Sequence, residues 1–205
     1  MKVDLINDNK EKYYSQLNNQ LSPYIACQVT SMVMALDIAG FGLDPIMKIP
    51  CVLPQAEDKL RWYMLTDDDV QTMWKTNHKN NLHIPAPEWA DCMVFAINKL
   101  YEKNIAYYQD RLTLDMIIAD LVNCLPVYIS MKYPNNKNFA GNPAPIDGHI
   151  VVVVGVETFG NTTKITINDP YKNHLTGEKD GFKNIYTLDE FNRHFNNRGI
   201  RLRVV

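Results

Sequence analysis

Three residues of this sequence have the types and settings that covalent cysteine catalysis requires. Cys27 stands in SPYIACQVTSMVMAL, His149 precedes the apolar run IVVVV, and Asp169 follows the segment ITIN. In such chemistry a thiolate attacks a carbonyl, an imidazole moves the proton, and an acid orients the imidazole. Each residue also has an ordinary structural interpretation: a small core thiol, a histidine at a strand end, and an acid that caps its own turn before a proline.

The setting of Cys27 favours reactivity. Ser22 and Pro23 are typical of the residues just before a helix, so Cys27 is expected in the first helical turn. The positive end of the helix dipole stabilises a thiolate at such a position, and a nearby imidazolium adds to the effect. The other cysteines occupy apolar or proline-flanked segments and are expected to be structural and reduced; they are Cys51, Cys92 and Cys124.

The spacing of two apolar segments predicts that His149 and Asp169 meet. A turn is predicted over residues 159–162, and a hairpin folded there pairs residues whose numbers sum to about 318–321. His149 then faces a position between Asp169 and Lys172, within reach of the Asp169 carboxylate. An acid so placed fixes the tautomer and orientation of the imidazole.

The predicted secondary-structure elements that position these residues are mainly helices in the N-terminal part of the chain and mainly strands in the C-terminal part. A helix is predicted over residues 26–39, with Val29, Met32, Val33 and Leu36 on its buried face and Gly40 at its end. Further helices are predicted from Thr66, over 88–101, over 113–124 and from Thr187, and strands over 105–108, from Pro126, from His149, over 164–168 and in RGIRLRVV. This order predicts an α+β fold in a single domain over residues 1–205.

Composition excludes several classes of function. The chain has 205 residues and a formal net charge of −2, with no block of basic residues, which argues against nucleic-acid binding. Its apolar runs are shorter than the roughly 20 residues of a membrane span, so no membrane insertion is expected. The segment MKVDLINDNKEK lacks the features of a signal peptide, so we expect the protein to be made in the cytoplasm. We also expect a monomer. His78 and His83 are expected to be solvated loop residues, and no cofactor or metal is expected.

An oxyanion hole is the remaining requirement of the chemistry. The Cys27 backbone N–H is one expected donor, and the side-chain amide of Gln16 or Gln20 is the other; Gln28, on the helix itself, is expected to point elsewhere.

Taken together, the motifs resemble papain-like cysteine peptidases of the bacteriocin-processing-peptidase-like group. The matching pieces are Ser15-Gln16, residues 23–36 (P…CxVTSMxMAL), residues 148–155 (GHIVVVVG) and residues 167–171 (INDPY), in the family order glutamine, cysteine, histidine, aspartate. The resemblance implies a papain-like fold with N-terminal helices and a C-terminal antiparallel sheet. The helix that bears the nucleophile packs on that sheet.

The same resemblance implies the roles of the site residues. Cys27 is the expected nucleophile, His149 the general base and acid, Asp169 the orienting acid and Gln16 the oxyanion-hole glutamine. Gln20 remains the alternative to Gln16, because Gln16 lies further from the cysteine than the family glutamine usually does.

The opening of the chain is also similar to stand-alone cell-wall lysins of phages and bacteria. We therefore expect a cysteine peptidase that cuts a peptidoglycan peptide and reaches the wall after release from the cell. The alternatives are a protease that processes leader peptides and a catalytically silent binding module. Arg201 and Arg203, on one face of the last predicted strand, are the candidates for contact with an anionic polymer.

Overall fold

The computed structural model describes residues 1–136, 142–143 and 145–204. Its helices are α1 (Cys27–Ile38), α2 (Asp44–Met47), α3 (Ala56–Thr66), α4 (Asp68–Asn77), α5 (Ala90–Leu100), α6 (Leu114–Val122) and α7 (Leu188–His194). Its strands are β1 (Lys2–Asp4), β2 (Ala106–Asp110), β3 (Val127–Tyr133), β4 (Ile146–Phe159), β5 (Thr162–Asn168), β6 (Asn184–Thr187) and β7 (Phe195–Leu202). Short 3-10 turns span Lys10–Lys12, Gln16–Asn18, Pro23–Ile25 and Ala86–Glu88.

The strands form one antiparallel sheet in the order β2-β7-β3-β4-β5-β6. Strand β4 is the longest. Along one of its sides it pairs first with β3, through residues 146–153, and then with β1, through residues 155–157. Helices come mainly before the sheet in the chain, so the predicted α+β class is confirmed.

A hydrophobic core lies on each face of the sheet, and β4 contributes to both. Val152 and Val154 pack into the core that contains α1, whereas Val151 and Val153 pack into the core beneath α6 and α7. All four valines are fully buried. The continuous apolar run after His149 is therefore explained by burial on both faces, as in a central strand.

Helix α1 is held firmly against the sheet. The four residues of its predicted face are buried, but burial extends around the helix to ten residues, because α3 and the N-terminal segment cover its other side. The Ser31 hydroxyl donates to the Ile150 carbonyl of β4 at 3.1 Å. Gly40 (φ +76°) ends the helix as predicted, with the Phe41 N–H bonded to the Leu36 carbonyl in a Schellman motif.

Several predicted boundaries were wrong. Thr66 ends α3, and Asp67 is the residue that caps α4, accepting from the N–H groups of Asp69 and Val70. Strand β4 begins at Ile146, so His149 lies inside the strand instead of opening it. The last strand ends at Leu202, so Val204, which belongs to the predicted strand RGIRLRVV, lies beyond the observed strand and is exposed.

The cysteines are free, as expected, but their burial differs from expectation. Cys92 is buried, whereas Cys124 is exposed, because α6 ends at Val122 and Cys124 turns away with a positive φ of 60°. Within the described ranges, no helix is long and apolar enough to span a membrane.

Candidate active site

Cys27 is the first residue of α1, where the sequence predicted it. The N–H groups of a first helical turn have no partner within the helix, so they point toward the space in front of it. The Gln28 side chain accepts a hydrogen bond from the Tyr128 hydroxyl at 2.8 Å and so ties this end of α1 to β3. Cys27 is thereby fixed against the sheet and remains half-buried.

His149 and Asp169 meet as the hairpin arithmetic predicted. The pairing of β4 with β5 joins Glu157 to Lys164 near the turn and Val153 to Ile167 beyond a bulge, within the expected register. His149 Nε2 lies 2.8 Å from Asp169 Oδ1, and both side chains are buried. The Cys27 side chain is the other hydrogen-bond partner of the imidazole.

Asp169 is also held by its own turn, as the structural interpretation of this residue predicted. Its Oδ1 accepts from the backbone N–H groups of Tyr171 (2.9 Å) and Lys172 (3.3 Å). Its backbone N–H donates to the Gly181 carbonyl at 2.8 Å, and its carbonyl accepts from the Tyr13 hydroxyl at 2.9 Å. The backbone of Asp169 and its Oδ1, which faces His149, are therefore held in place.

The electrostatics of the pair favour charge on both residues. Burial lowers the pKa of His149, but the Asp169 carboxylate, with help from the Cys27 side chain, outweighs burial and raises that pKa to about 10. Burial likewise raises the pKa of Asp169, and the neighbouring His149 overcomes it, so the net direction is downward. An imidazolium beside Cys27 is the setting in which a thiolate is stable.

Gln16 and Gln20, the two glutamines left open by the sequence, occupy different environments. Gln16 is 2% exposed and lines the same cleft as Cys27 and His149, whereas Gln20 is exposed and does not line it. The Gln16 backbone N–H donates to the Pro170 carbonyl at 2.8 Å, and its side-chain Nε2 donates to the Pro23 carbonyl at 2.9 Å. An amide nitrogen carries two hydrogens, so one remains for an oxyanion.

The cleft in front of Cys27 has a volume of about 340 Å³. Exposed apolar side chains stand at its mouth, with Tyr24 74% and Ile25 50% exposed. A second cavity of about 670 Å³ adjoins it along Glu88, Asp147 and Gly148 and carries the aromatic side chains of Trp89, Tyr108 and Tyr128. Because the two cavities share Glu88, Asp147 and Gly148, they form one continuous depression in the surface.

His174 belongs to this site and was missed by the sequence analysis. Its Nε2 lies 3.6 Å from Asp169 Oδ2, its ring stacks on Tyr133 at 4.2 Å, and its side chain is buried. The residue follows Asp169 in an irregular segment with no periodic pattern, so only its proximity to Asp169 along the chain could have indicated it.

Two groups of side chains bring three possible metal-ligand atoms within 4.8 Å of one another: His149 with Asp169 and His174, and His78 with Asp91 and Cys92. In each group a histidine contacts a carboxylate at hydrogen-bond distance, 2.8 Å and 3.0 Å respectively. Hydrogen bonding accounts for the contacts of His78 with Asp91 and of His149 with Asp169, whereas His174 Nε2 lies 3.6 Å from the Asp169 carboxylate. His78 also stacks on Trp89 at 3.8 Å, so its prediction as a solvated loop residue was wrong.

Comparison with known proteins identifies the family. The model of the Peptidase_C39-like family matches residues 9–199, nearly the whole chain. The chain belongs to the Peptidase_C39-like family. It is accordingly a cysteine-type peptidase, a hydrolase, and the matched region contains Gln16, Cys27, His149 and Asp169.

The fold of this peptidase is similar to that of a solved structure. A crystal structure from Bacillus anthracis, described as a C39-like peptidase, aligns with a TM-score of 0.58 at 15% identity and covers 100% of this chain and 98% of its own. At that identity the likeness shows the fold alone, which is the papain-like arrangement expected from the motifs. A search of curated proteins gave no match.

Proposed function

We propose that this peptidase hydrolyses peptide amide bonds with Cys27 as nucleophile, His149 as general base and acid, and Asp169 as the orienting acid. One observation carries the assignment: the buried His149 imidazole contacts Asp169 at 2.8 Å and Cys27 through its other side. Structural histidines seldom join a buried carboxylate to a thiol at a helix N-terminus, whereas nucleophilic catalysis needs that order of groups.

The reaction follows from these positions. The Cys27 thiolate adds to the substrate carbonyl, and the negative oxygen accepts hydrogen bonds from the Cys27 backbone N–H and from Gln16. His149 then protonates the leaving amine, which departs and leaves a thioester on Cys27. Water attacks the thioester, His149 takes the water proton, and release of the carboxylic acid regenerates the thiolate.

The first test compares substitutions with a matched control. Cys27→Ala and His149→Ala are expected to abolish peptide hydrolysis to a similar degree, because residues that act as a unit lose nearly everything when either is removed. Cys124→Ala removes an exposed thiol remote from the cleft and is expected to leave kcat and KM unchanged. Retention of hydrolysis by folded Cys27→Ala would refute the assignment.

For the substrate we propose a peptide of the bacterial cell wall. The similarity of the opening motifs to cell-wall lysins supports this choice, and the two adjoining cavities, of about 340 and 670 Å³, offer room for a peptide beside Cys27. The intact set of Cys27, His149 and Asp169 argues against a silent binding module. Arg201 pairs with Asp120 at 2.6 Å, so we do not assign it to contact with an anionic polymer.

The second test separates the wall from a soluble leader peptide. Purified protein is expected to release peptide fragments from isolated peptidoglycan, identified by mass spectrometry, and Cys27→Ala is the control. A processing protease would instead cleave a soluble leader peptide and leave the wall intact. Cleavage of the soluble peptide alone would replace the wall assignment and leave the catalytic assignment standing.

A further inference from the structure

Two buried polar atoms of the site face each other without hydrogen bonds. Asp169 Oδ2 and His174 Nε2 lie 3.6 Å apart, and both side chains are shielded from solvent. Neither atom has another partner. Buried polar groups are almost always paired, so two adjacent unpaired atoms indicate a hydrogen bond that a small adjustment would complete.

The His174 ring is positioned to make that bond. Its Nδ1 lies 2.9 Å from the side-chain oxygen of Asn136, and its face stacks on the ring of Tyr133. Burial lowers the pKa of His174 to about 3, so the ring is neutral and carries a single N–H. The remaining question is which nitrogen bears the hydrogen.

The two tautomers of His174 differ in the hydrogen bonds that they can make with Asn136 and Asp169. With hydrogen on Nδ1, the ring donates to Asn136 and leaves a lone pair on Nε2 directed at a carboxylate. With hydrogen on Nε2, the ring donates to Asp169, and a half-turn of the Asn136 amide lets its nitrogen donate to Nδ1 with almost no change in shape. Only the second arrangement satisfies both unpaired atoms.

We propose that His174 is a positioning residue for the reaction, donating from Nε2–H to Asp169 Oδ2 so that Oδ1 stays directed at His149. This inference rests on the proposed function, since it assigns a role to His174 through Asp169. Oδ1 already accepts from His149 and from two backbone N–H groups, whereas Oδ2 has no other restraint. The His174 contact would thus prevent rotation of the carboxylate and stabilise its charge. Catalytic hydrogen bonds are often long before substrate binds and then shorten.

Two substitutions distinguish the hydrogen bond from packing. His174→Phe keeps a ring that can stack on Tyr133 but has no N–H, whereas His174→Gln places an amide N–H near the position of Nε2. We expect His174→Phe to lower kcat by about tenfold or more without changing KM, as loss of a hydrogen bond to a charged group does. His174→Gln is expected to recover most of the loss.

The pH profile gives a readout that packing would not move. Without the His174 N–H the pKa of Asp169 rises, so the acid limb of kcat/KM moves to higher pH in His174→Phe and stays near wild type in His174→Gln. Among the described residues, the titratable and charged groups that face His174 are Asp169, His149, Tyr133, Tyr171, Lys172 and His194. His194→Phe is the matched control, because His194 also contacts Tyr133, with ring centroids 4.9 Å apart, and its Nδ1 bonds only to the Lys132 carbonyl. Equal kcat and acid limbs in wild type and His174→Phe, or equal losses in His174→Phe and His174→Gln, would overturn the proposal.

A measurement that needs no substrate completes the test. The nitrogen NMR shifts of the wild-type His174 ring, assigned by their loss in His174→Gln, report which nitrogen is protonated. We expect the Nε2–H tautomer; the Nδ1–H tautomer would overturn the proposal. The Nε2–H result would support the contact even if the purified protein cleaved no peptide, in which case the proposed function would fail on its own.

Discussion

At the scale of single residues, burial and the charge of Asp169 have opposite effects on the pKa of His149. Burial alone would keep the imidazole neutral, and the adjacent Asp169 carboxylate reverses this outcome by raising the pKa of His149 to about 10. The protonated ring then stands beside Cys27 across the neutral pH range. Removing the carboxylate charge is the most selective way to disturb this balance.

Asp169→Asn is expected to move the alkaline limb of kcat/KM to lower pH. The substitution removes the charge that raises the pKa of His149, so the imidazolium is lost at a lower pH. Activity should fall by about tenfold or more, but by less than in Cys27→Ala, because Asp169 orients the ring without exchanging a proton. A variant with wild-type activity and an unmoved alkaline limb would make Asp169 a turn residue only.

The same pair predicts how stability depends on pH. The raised pKa of His149 stabilises the fold fully below the ordinary value of 6.5, and this contribution is lost as the pH rises toward about 10. The lowered pKa of Asp169 stabilises the fold above its ordinary value of 3.8, and this contribution is lost in acid. The difference in melting temperature between wild type and Asp169→Asn should therefore be largest between pH 3.8 and 6.5 and shrink toward pH 10. A difference that stays constant over this range would show that the pair is not charged.

At the scale of elements, the segment between β5 and β6 decides where Asp169 lies. Gly181 packs directly on Asp169: a Cβ added to Gly181 would lie only 1.9 Å from the Asp169 carbonyl oxygen. The Tyr13 hydroxyl joins the same contact, donating to the Asp169 carbonyl and accepting from the Gly181 N–H. The proposed orienting acid is thus held by a contact between two distant parts of the chain.

Gly181→Ala is expected to displace this segment and lower kcat. The backbone must shift to admit the methyl group, at a cost of about 1–3 kcal/mol in the free energy of unfolding. Gly160→Ala is the control, since nothing lies within 4 Å of its added Cβ and only its positive φ of 56° opposes the change. The control should lose about 1 kcal/mol of stability while keeping its kcat. Unchanged kcat in Gly181→Ala would show that the contact does not position Asp169.

Local signals in the sequence predicted α1 and the β4–β5 hairpin. Pro23 and Gly40 bound the helix, and the spacing of the two strands placed Asp169 opposite His149. Strand β1 was missed because its pairing with β4 joins residues far apart in the chain, and no periodicity marks a strand of three residues. His174 was missed for the same reason, since its partners lie on β3 and in two loops.

At the scale of the whole molecule, the candidate site lies where four parts of the chain meet. The N-terminal segment supplies Gln16, α1 supplies Cys27, β4 supplies His149, and the segment after β5 supplies Asp169. Helix α6 is joined to the sheet away from the cleft, where the Arg201 guanidinium bonds to both oxygens of Asp120 at 2.6 and 2.7 Å. This ion pair contributes to stability and does not line the cleft.

Arg201→Ala is expected to lower the free energy of unfolding by about 3 kcal/mol, because it leaves the buried Asp120 carboxylate without its cation. Arg203→Ala is the matched control, since Arg203 is exposed and its guanidinium donates to the Asn104 carbonyl and, like that of Arg201, lies over the Tyr107 ring; it should cost less than about 1 kcal/mol. Chemical denaturation measures both. We expect kcat per folded molecule to be unchanged in both variants. Equal losses of unfolding free energy in the two variants would show that the pair of Arg201 with Asp120 does not stabilise the fold.

The reactivity of the thiols tests the central assignment most directly. Iodoacetamide alkylation at pH 6, followed by peptide mass spectrometry, compares half-buried Cys27 with exposed Cys124 in the same molecule. We expect Cys27 to react much faster in spite of its lower exposure, and His149→Ala to abolish that advantage, because an adjacent imidazolium activates a thiol toward alkylation. If Cys124 reacts as fast as Cys27, or if His149→Ala leaves the Cys27 rate unchanged, Cys27 is not the activated nucleophile of this peptidase.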